Sequence, residues 1–217
     1  MFQRDYFMRM IEEMTQVLAQ VLGLRQERKI EEALLVIDEL LDKHFRLSSN
    51  LIRSLSDDDL IKVMSTNGVV ETDHLQAIAV LIKQEALLHG DIGREKECYD
   101  SYVRSLRLFV RLSLLNAEPT IVEPREQIAE LLELLSPFEL PIPTKRLLME
   151  WYETEGKYDQ TENVMHELLE ANVLTAADAI GTYQRLLSQS DELLTAGGLP
   201  REEVEQALAD IKGAMKE

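Results

Sequence analysis

Four histidines and one cysteine are the side chains of this sequence best suited to metal binding or catalysis: His44, His74, His89, His166 and Cys98. Paired ligands on one face of a helix stand three or four residues apart, and no two of these histidines have that spacing. None of them neighbours Cys98 in the sequence. We therefore predict no metal site and no cofactor; a metal site would need ligands from distant segments.

Two short motifs look like binding loops but lack their defining residues. The aspartates at 57–59 have neither the alternating ligands nor the glycine and closing glutamate of a calcium loop. They are better explained as first-turn acids of a helix capped by Ser56. The glycines of residues 90–93 are not followed by the Gly-Lys-Ser/Thr of a phosphate loop. Both motifs therefore indicate helix ends rather than sites.

Cys98 has a reactive and a structural interpretation. Arg94 and Lys96 lie near it in the sequence and would lower the pKa of its thiol. It also lies at the edge of an apolar helical stripe, and we favour a small packing residue on that ground. Because it is the only cysteine, an intramolecular disulfide and a secreted disulfide scaffold are excluded.

Arg104, Arg107 and Arg111 share one helix face at steps of three and four residues. Such a stripe either binds an acidic peptide of a partner or pairs with acidic neighbours inside the chain. Asp100, four residues before Arg104, is the nearest candidate for such pairing. We keep the three arginines as candidate partner-binding residues with the structural interpretation beside them.

Aromatic residues are the second group of candidates for partner binding. Trp151, Tyr152 and Tyr158 suit recognition because aromatic side chains anchor interfaces, although at helical spacing they equally form the core of a hairpin. At the N-terminus, Phe2, Tyr6 and Phe7 suit docking of a partner helix or a second subunit. We therefore expect a possible homo-oligomer through the N-terminal helix. The density of basic residues there is too low for membrane binding.

Apolar residues recur at steps of three and four along most of the chain, and no stretch of alternating strand pattern has useful length. The fold class predicted is all-α, as an irregular solenoid of helical hairpins. Five of the six prolines fall between residues 119 and 143, and Pro restricts the backbone and removes a donor. We predict N-terminal hairpins at 1–116, a connection with one short helix at 117–143 and acidic hairpins at 144–217, with one continuous domain 1–217 as the alternative.

Three hairpin turns, which start at residues 28, 90 and 156, align with one another. The third resembles the turn of a tetratricopeptide repeat, in which an aromatic residue, here Tyr152, is followed by Gly156 and a second aromatic, Tyr158. Ala33 resembles the small residue of that motif. Two positions depart from it because they are not small: Met149 and Glu95. The turns are 62 and 66 residues apart, against roughly 34 in a regular array, which indicates an irregular repeat.

The chain also resembles a family of bacterial all-helical proteins of unknown function. The resemblance runs from residue 2 to about residue 170. It implies a helical, repeat-like protein of the bacterial cytoplasm and carries no activity. The segments that carry it are residues 2–6 with 10–12, residues 30–34, residues 54–60, and the turn from Tyr152 to Tyr158.

The formal net charge is −17, of which −4 falls in residues 1–116 and −13 in residues 117–217. This charge disfavours nucleic acid, and the partner expected is a protein or peptide. The charge either serves solubility alone or attracts a basic partner. No apolar run is long enough to span a bilayer and no signal peptide is recognisable, so we expect a cytoplasmic protein without membrane contact.

The leading functional hypothesis is a non-catalytic protein–protein interaction scaffold, which is not an enzyme. It follows from the repeat pattern and from the lack of a catalytic motif in the sequence. The alternative is a small-molecule-binding or enzymatic helical domain with a site assembled from distant residues. The residues that such a site would use are Glu85, His89, Tyr102 and Arg107.

Overall fold

A computed structural model describes the backbone of residues 2–45 and 47–214 and the side chains of residues 8–45 and 47–213. The chain is about 76% helical, with twelve helices and one two-stranded hairpin in the described part. The all-α prediction is confirmed. Contacts divide the chain into two compact units, unit 1 at Met1–Glu139 and unit 2 at Leu140–Glu217.

Unit 1 consists of seven helices and a short antiparallel strand pair, as far as the structure describes it. Its elements are α1 (Phe2–Gln26), α2 (Ile30–His44), α3 (Ser49–Ser54), α4 (Asp57–Val63), β1 (Ser65–Thr66), β2 (Val69–Val70), α5 (Thr72–Asp91), α6 (Glu95–Leu114) and α7 (Pro124–Leu135). α1 packs against α2, α2 against α5, and α6 against both α5 and α7.

Unit 2 consists of five helices over its described residues. They are α8 (Ile142–Thr154), α9 (Tyr158–Glu170), α10 (Ala176–Leu186), α11 (Asp191–Ala196) and α12 (Arg201–Ala214). α8 and α9 form a hairpin, and α10 packs against α9 and α12. Their apolar faces enclose one core, to which every helix except α8 contributes a fully buried residue. Its buried members are Tyr158, Met165, Ala179, Tyr183, Leu186, Leu194, Leu199, Val204 and Leu208.

The hairpins α1–α2, α5–α6 and α8–α9 turn through the same backbone conformation. Each has a left-handed residue two positions before its second helix: Arg28 at φ 59°, Gly93 at φ 71° and Gly156 at φ 71°. The sequence alignment was therefore wrong in the second turn, where Gly93 rather than Gly90 corresponds to Gly156. In the corrected register the turns lie 65 residues (28 to 93) and 63 residues (93 to 156) apart.

A basic residue follows the left-handed residue in each of these turns, and its backbone N–H closes the preceding helix. The three bonds, each spanning five residues, are Lys29 N to Leu24 O (2.9 Å), Arg94 N to His89 O (3.0 Å) and Lys157 N to Tyr152 O (2.9 Å). This is the six-to-one bond of a Schellman motif. Four residues further on, the second helix carries a small side chain in each hairpin: Ala33, Cys98 and Thr161. Glu95 is therefore no departure from the small-residue position.

Three helix boundaries differ from those that the residue pattern predicts, in which helices end at Gly23 and at Asn67-Gly68 and one helix runs from about 175 to 195. Gly23 lies inside α1, which continues to Gln26, because the turn is made by Arg28 instead. The helix expected at about 175–195 is two helices, because Ser190 caps α11 by accepting a hydrogen bond from Leu193 N. Asn67 and Gly68 do not end a helix but form the tip of the β1–β2 hairpin, both with positive φ.

α5 is buried on several faces, as its apolar run predicts, and three of its polar residues are buried as well. Gln76 donates to Glu118 O (2.6 Å) and accepts from the backbone N–H groups of residues 120 and 121. Lys83 Nζ lies 2.5 Å from Glu130 Oε2 and donates to Gln127 Oε1 (2.8 Å). These contacts fasten α7 and the segment before it to the centre of unit 1.

Candidate functional site

A groove with a volume of about 370 Å³ runs between α1 and α2. Its floor is apolar, formed by the half-buried Val17 of α1 together with Val36 and the buried Leu40 of α2. Its rim is polar. The rim residues are Glu13, Gln16, Gln20, Glu39 and Lys43. An apolar floor inside a polar rim is the arrangement of a surface that buries an apolar side chain of a ligand.

The charged groups of the rim are unequally paired. Glu13 Oε2 accepts from Lys43 Nζ (2.9 Å) and lies 2.6 Å from His44 Nε2. The hydrogen bond from Lys43 lowers the pKa of Glu13 below its usual value of 4.5, and the contact with His44 lowers it further. Glu39 is exposed and has no ion pair among the described residues. The rim therefore offers one carboxylate for a basic side chain.

The groove is long enough for a short helical segment. Its lining runs from Glu13 to Gln20 on α1 and from Val36 to Lys43 on α2, two turns of each helix. Seven residues of helix rise about 10 Å. Two apolar side chains at i and i+3 or i+4 of a third helix are about 5–6 Å apart along its axis and therefore fit within that length.

The three arginines of the predicted stripe make contacts inside unit 1. Arg104 donates to the backbone carbonyls at the end of α3, at 2.8 Å from Arg53 O, 2.6 Å from Ile52 O and 2.8 Å from Leu55 O. Arg107 Nε lies 2.6 Å from the buried Asp57 carboxylate, and Arg111 donates to Asp58 (2.9 Å). The stripe thus holds α3 and α4 on α6, and its partners are not Asp100.

Asp57 and its neighbours fulfil the predicted helix-cap role. Ser56 Oγ accepts from Asp59 N (3.1 Å), and all three aspartates lie in the first turn of α4. Burial raises the pKa of Asp57 despite the nearby arginines. The sequence missed that Asp57 is itself buried, with 4% of its surface exposed, because only tertiary packing brings Arg107 over it.

Glu85 and Arg107, proposed for an assembled pocket, belong to two different ion pairs. Glu85 is 2% exposed and bonds Arg53, which also bonds Asp38. Burial raises the pKa of Glu85, and the hydrogen bond from Arg53 acts against this. The contacts of Glu85 and Arg107 are therefore those of packed helices.

The other two residues of that assembled pocket, together with Cys98, show the electrostatic effects of burial. Burial raises the pKa of Tyr102 to about 12 and lowers that of His89, whose buried Nδ1 has no hydrogen-bond partner among the described residues. Burial also raises the pKa of the Cys98 thiol, whose Sγ lies 3.4 Å from the position that a Cβ on Gly90 would take. Cys98 therefore packs at the α5–α6 approach.

Trp151 and Tyr158, the aromatic candidates of α8 and α9, are buried in unit 2 at 2% and 6% exposure. Tyr152 is half-buried, with its ring centroid 5.2 Å from that of Trp151. Lys157 Nζ lies over both rings, 4.8 Å from the Trp151 centroid. Both side chains are therefore buried, and Tyr158 belongs to the core of unit 2. The side chains of Phe2, Tyr6 and Phe7 lie outside the described residues.

The described residues lack the features of two other kinds of site. No group of three or more His, Cys, Asp or Glu side chains is placed to hold a metal ion. No helix there has the length and the apolar character that crossing a membrane requires.

Sequence reasoning missed the groove itself. The apolar spacing of α1 and α2 places Val17 and Leu40 in stripes that predict core positions. The remaining signal was Val36, an apolar residue beside the stripe of α2 rather than on it. The position of a residue in such a pattern does not show whether another helix covers it. The groove could therefore be recognised only from the packing of α1 on α2.

Comparison with known families adds one finding to this geometry. Residues 1–216 match a family of unknown function, DUF6483. The chain belongs to DUF6483. The family resemblance seen in the sequence is thereby confirmed at this level, and the all-helical structure agrees with it. No curated protein and no solved structure matches the chain. In this DUF6483 protein the α1–α2 groove is thus the candidate site that its own geometry supports.

Proposed function

We propose that this DUF6483 protein is a non-catalytic interaction module that holds an amphipathic helix of a partner protein in the α1–α2 groove. The groove itself carries the proposal, because it opens an apolar floor between two antiparallel helices. Helical segments are commonly recognised by laying their apolar face into such a groove. The groove accommodates anchors one helical turn apart, over Val17, Val36 and Leu40.

The charge of the partner follows from the rim and from the whole chain. Glu39 is exposed and has no ion pair within the described part of the chain, and the whole chain carries a net charge of −17. A Lys or Arg beside the apolar stripe of the partner pairs with Glu39, and the overall field accelerates its approach. A second copy of this chain would bring the same negative charge, which disfavours it as the occupant.

The ionisable residues considered for a catalytic pocket support the interaction role. Glu85 and Arg107 are bound to Arg53 and Asp57 in ion pairs that hold helices together. Substitution of Glu85 or Arg107 would therefore weaken the contacts between these helices. We infer a scaffold rather than an enzyme, and a protein ligand rather than nucleic acid or a membrane.

The proposal includes the finer architecture and location expected from the sequence. Three turns of one conformation, each followed by a small residue, support tetratricopeptide-like hairpins in an irregular solenoid. We further propose that the protein works in a bacterial cytoplasm. Fractionation of the native cell tests the location.

A designed peptide tests the groove directly. The probe is a helical peptide with Leu at i, i+3, i+4 and i+7 and flanking Lys, titrated into the full chain by isothermal calorimetry. Its matched control peptide carries Glu in place of Lys. The protein variants are Val36→Glu, which puts a charge in the floor, and Leu35→Glu at an exposed neighbour outside the groove.

We expect the Lys peptide to bind the wild type and the Leu35→Glu variant alike, and Val36→Glu at least about tenfold more weakly, or 1.4 kcal/mol. The Glu peptide should bind more weakly than the Lys peptide. Equal binding by Val36→Glu, or no binding by the wild type, overturns the proposal. Sedimentation gives a further outcome. If the wild type sediments as a dimer and the Val36→Glu variant as a monomer, a second copy of the chain occupies the groove, and the proposed partner is wrong.

A further inference from the structure

A second line of mostly apolar residues, here called the outer stripe, runs along α1. Its members recur at steps of three and four residues: Met8, Ile11, Thr15, Leu18 and Leu22. The residues at its two ends, Met8 and Leu22, are 51% and 53% exposed. Of the three residues between them, Thr15 is exposed and the other two are half-buried. The described part of the chain therefore leaves much of this stripe uncovered.

The outer stripe is separate from the two faces of α1 already described. The buried residues of α1 lie on the face that packs into unit 1, and they are Met10, Met14 and Val21. The polar residues that α1 contributes to the groove are Glu13, Gln16 and Gln20. At 3.6 residues per turn, these groove residues lie on the opposite side of the helix axis from the outer stripe. A ligand in the groove and a helix on the stripe do not compete.

The spacing of the outer stripe is that of a coiled coil. Met8, Thr15 and Leu22 stand seven residues apart, and so do Ile11 and Leu18. A seven-residue repeat of this kind keeps one seam of a helix facing a second helix that lies alongside it. The stripe covers four turns, about 21 Å along the axis. Its shape therefore fits another α-helix packed lengthwise on α1.

We propose that the outer stripe packs against the outer stripe of a second copy of this chain, with the two α1 helices antiparallel. The pattern is self-complementary in that direction. Ile11 lies opposite Leu22 of the second copy, and Thr15 lies opposite Leu18. The same layers recur on the other side of the two-fold axis, because both copies use the same surface. Every residue from 11 to 22 of the stripe thereby meets an apolar partner.

Thr15 is compatible with a covered position in this contact. Its hydroxyl donates to Ile11 O at 2.9 Å, inside α1 itself. The second copy therefore does not leave this donor unpaired when it covers the side chain. In a parallel pair the two Thr15 side chains would face each other, whereas the antiparallel pair places each against a leucine.

The charges around the outer stripe also permit a second copy. Between residues 8 and 22, Glu12 is the one charged residue at a position that borders the stripe, since Arg9 and Glu13 lie further round the helix. In the antiparallel pair Glu12 faces Ala19 of the second copy, so no like charges meet. The groove differs, because its rim carries the exposed carboxylate of Glu39.

Sedimentation velocity of the full chain from about 1 μM to about 100 μM tests the dimer. Leu22→Glu puts a charge in the stripe at a position where the monomer is already exposed to solvent. The matched control is Leu35→Glu, the same change at an exposed leucine of α2 outside the stripe. Thr15→Leu adds apolar surface to the stripe, and Val36→Glu alters the groove alone. Circular dichroism verifies that each variant is folded.

We expect the wild type, Leu35→Glu and Val36→Glu to form the same concentration-dependent dimer. The dimer of Leu22→Glu should dissociate at least about tenfold more readily, and that of Thr15→Leu should be tighter than the wild type. A wild type that stays monomeric at the highest concentration, or an unchanged Leu22→Glu, overturns the proposal. So does a dimer that is lost in Val36→Glu, which would place the second copy in the groove.

Cysteine pairing tests the direction of the helices in a Cys98→Ser background. A mixture of the Ile11→Cys and Leu22→Cys variants should form a mixed disulfide under mild oxidation, because these residues share a layer of the antiparallel pair. Leu22→Cys by itself should form none, and a disulfide between its two copies would show a parallel pair instead. Leu22→Glu should bind the Lys peptide as the wild type does, so this proposal and the groove fail independently.

Discussion

Gly197 lies directly against the ring of Tyr158, where no side chain fits. A Cβ on Gly197 would overlap the Gly156 carbonyl oxygen and the Tyr158 ring. The backbone completes the contact, because Asp159 N donates to Gly197 O at 3.0 Å. The turn of the α8–α9 hairpin and the end of α11 therefore meet through backbone atoms and one aromatic face.

Gly197→Ala is expected to destabilise unit 2, because the methyl group forces this contact apart. Overpacking of this kind lowers the free energy of unfolding by about 1–3 kcal/mol. The matched control is Gly213→Ala in α12, where a Cβ meets no atom within 4 Å. The control should be neutral or stabilising by up to about 1 kcal/mol, since Ala favours helix. Urea denaturation measures both, and equal stability of the two variants would contradict the close contact.

Arg53→Met is expected to lower the free energy of unfolding by about 3 kcal/mol at neutral pH, because it leaves the carboxylate of Glu85 buried without its cation. This is the lower end of the range for a broken buried pair, since the Arg53 side chain is 33% exposed. Arg94→Met, which breaks the exposed pair with Glu31, is the control and should lose no more than about 1 kcal/mol.

The deficit of Arg53→Met should depend on pH in a defined direction. Burial raises the pKa of Glu85 above 4.5, so the folded state binds more protons than the unfolded state and stability falls as pH rises. Loss of Arg53 raises that pKa further. The deficit should therefore be smaller at about pH 5 than at about pH 8. A deficit that grows on acidification would refute the role given to Glu85.

Arg104→Met is expected to loosen α3 and α4, because it removes three hydrogen bonds to the carbonyls that end α3. Hydrogen bonds from a charged donor predict a loss of about 2–3 kcal/mol. Arg104→Lys should recover only part, since one ammonium lacks the guanidinium fork. Hydrogen exchange should rise first in residues 49–63. Arg111→Met, at an exposed pair, is the control, and an equal increase there would contradict the prediction.

Thr175→Ala is expected to destabilise α10 by about 1 kcal/mol, because Thr175 forms a capping box with Asp178. Hydrogen bonds from the Thr175 side chain and backbone lower the pKa of Asp178 below 3.8. This contact therefore stabilises the folded state above about pH 3.8, and the stabilisation is lost as the pH falls through the pKa of Asp178 in the folded state. Acid denaturation of the variant should be less pH-dependent. Thr154→Ala, whose hydroxyl bonds a carbonyl inside α8, is the control and should change neither property.

Most helices of this fold could be predicted because apolar spacing and helix caps depend on residues close together in the sequence. Ser56 as a helix cap and Gly156 as a turn residue were predicted from such local patterns. The second turn was misaligned because two glycines share its loop, and only the backbone φ shows that Gly93 is the left-handed one. The break before α11 was missed, although Ser190 carries a capping signal inside an apparently continuous stripe.

The candidate sites could be predicted less well because their geometry depends on long-range packing. The spacing of the three arginines predicted that they share one helix face. The partners of Arg104, however, lie about fifty residues earlier in the chain, on α3 and at its end. Local spacing pointed to Asp100 instead. Similarly, Glu162 and His166 stand one turn apart on α9, yet only the packing of α10 brings the Tyr183 hydroxyl to 2.6 Å from Glu162 Oε1 and 3.2 Å from His166 Nε2.

The burial of Trp151 gives the chain one local optical signal. It is the only tryptophan of the chain, and it is buried on α8 with Lys157 Nζ 4.8 Å from its ring centroid. Its fluorescence emission therefore reports on the surroundings of α8, whereas circular dichroism reports on the helices of both units. A denaturation curve recorded with both probes shows whether a substitution loosens the surroundings of Trp151 before the helices as a whole, without cutting the chain.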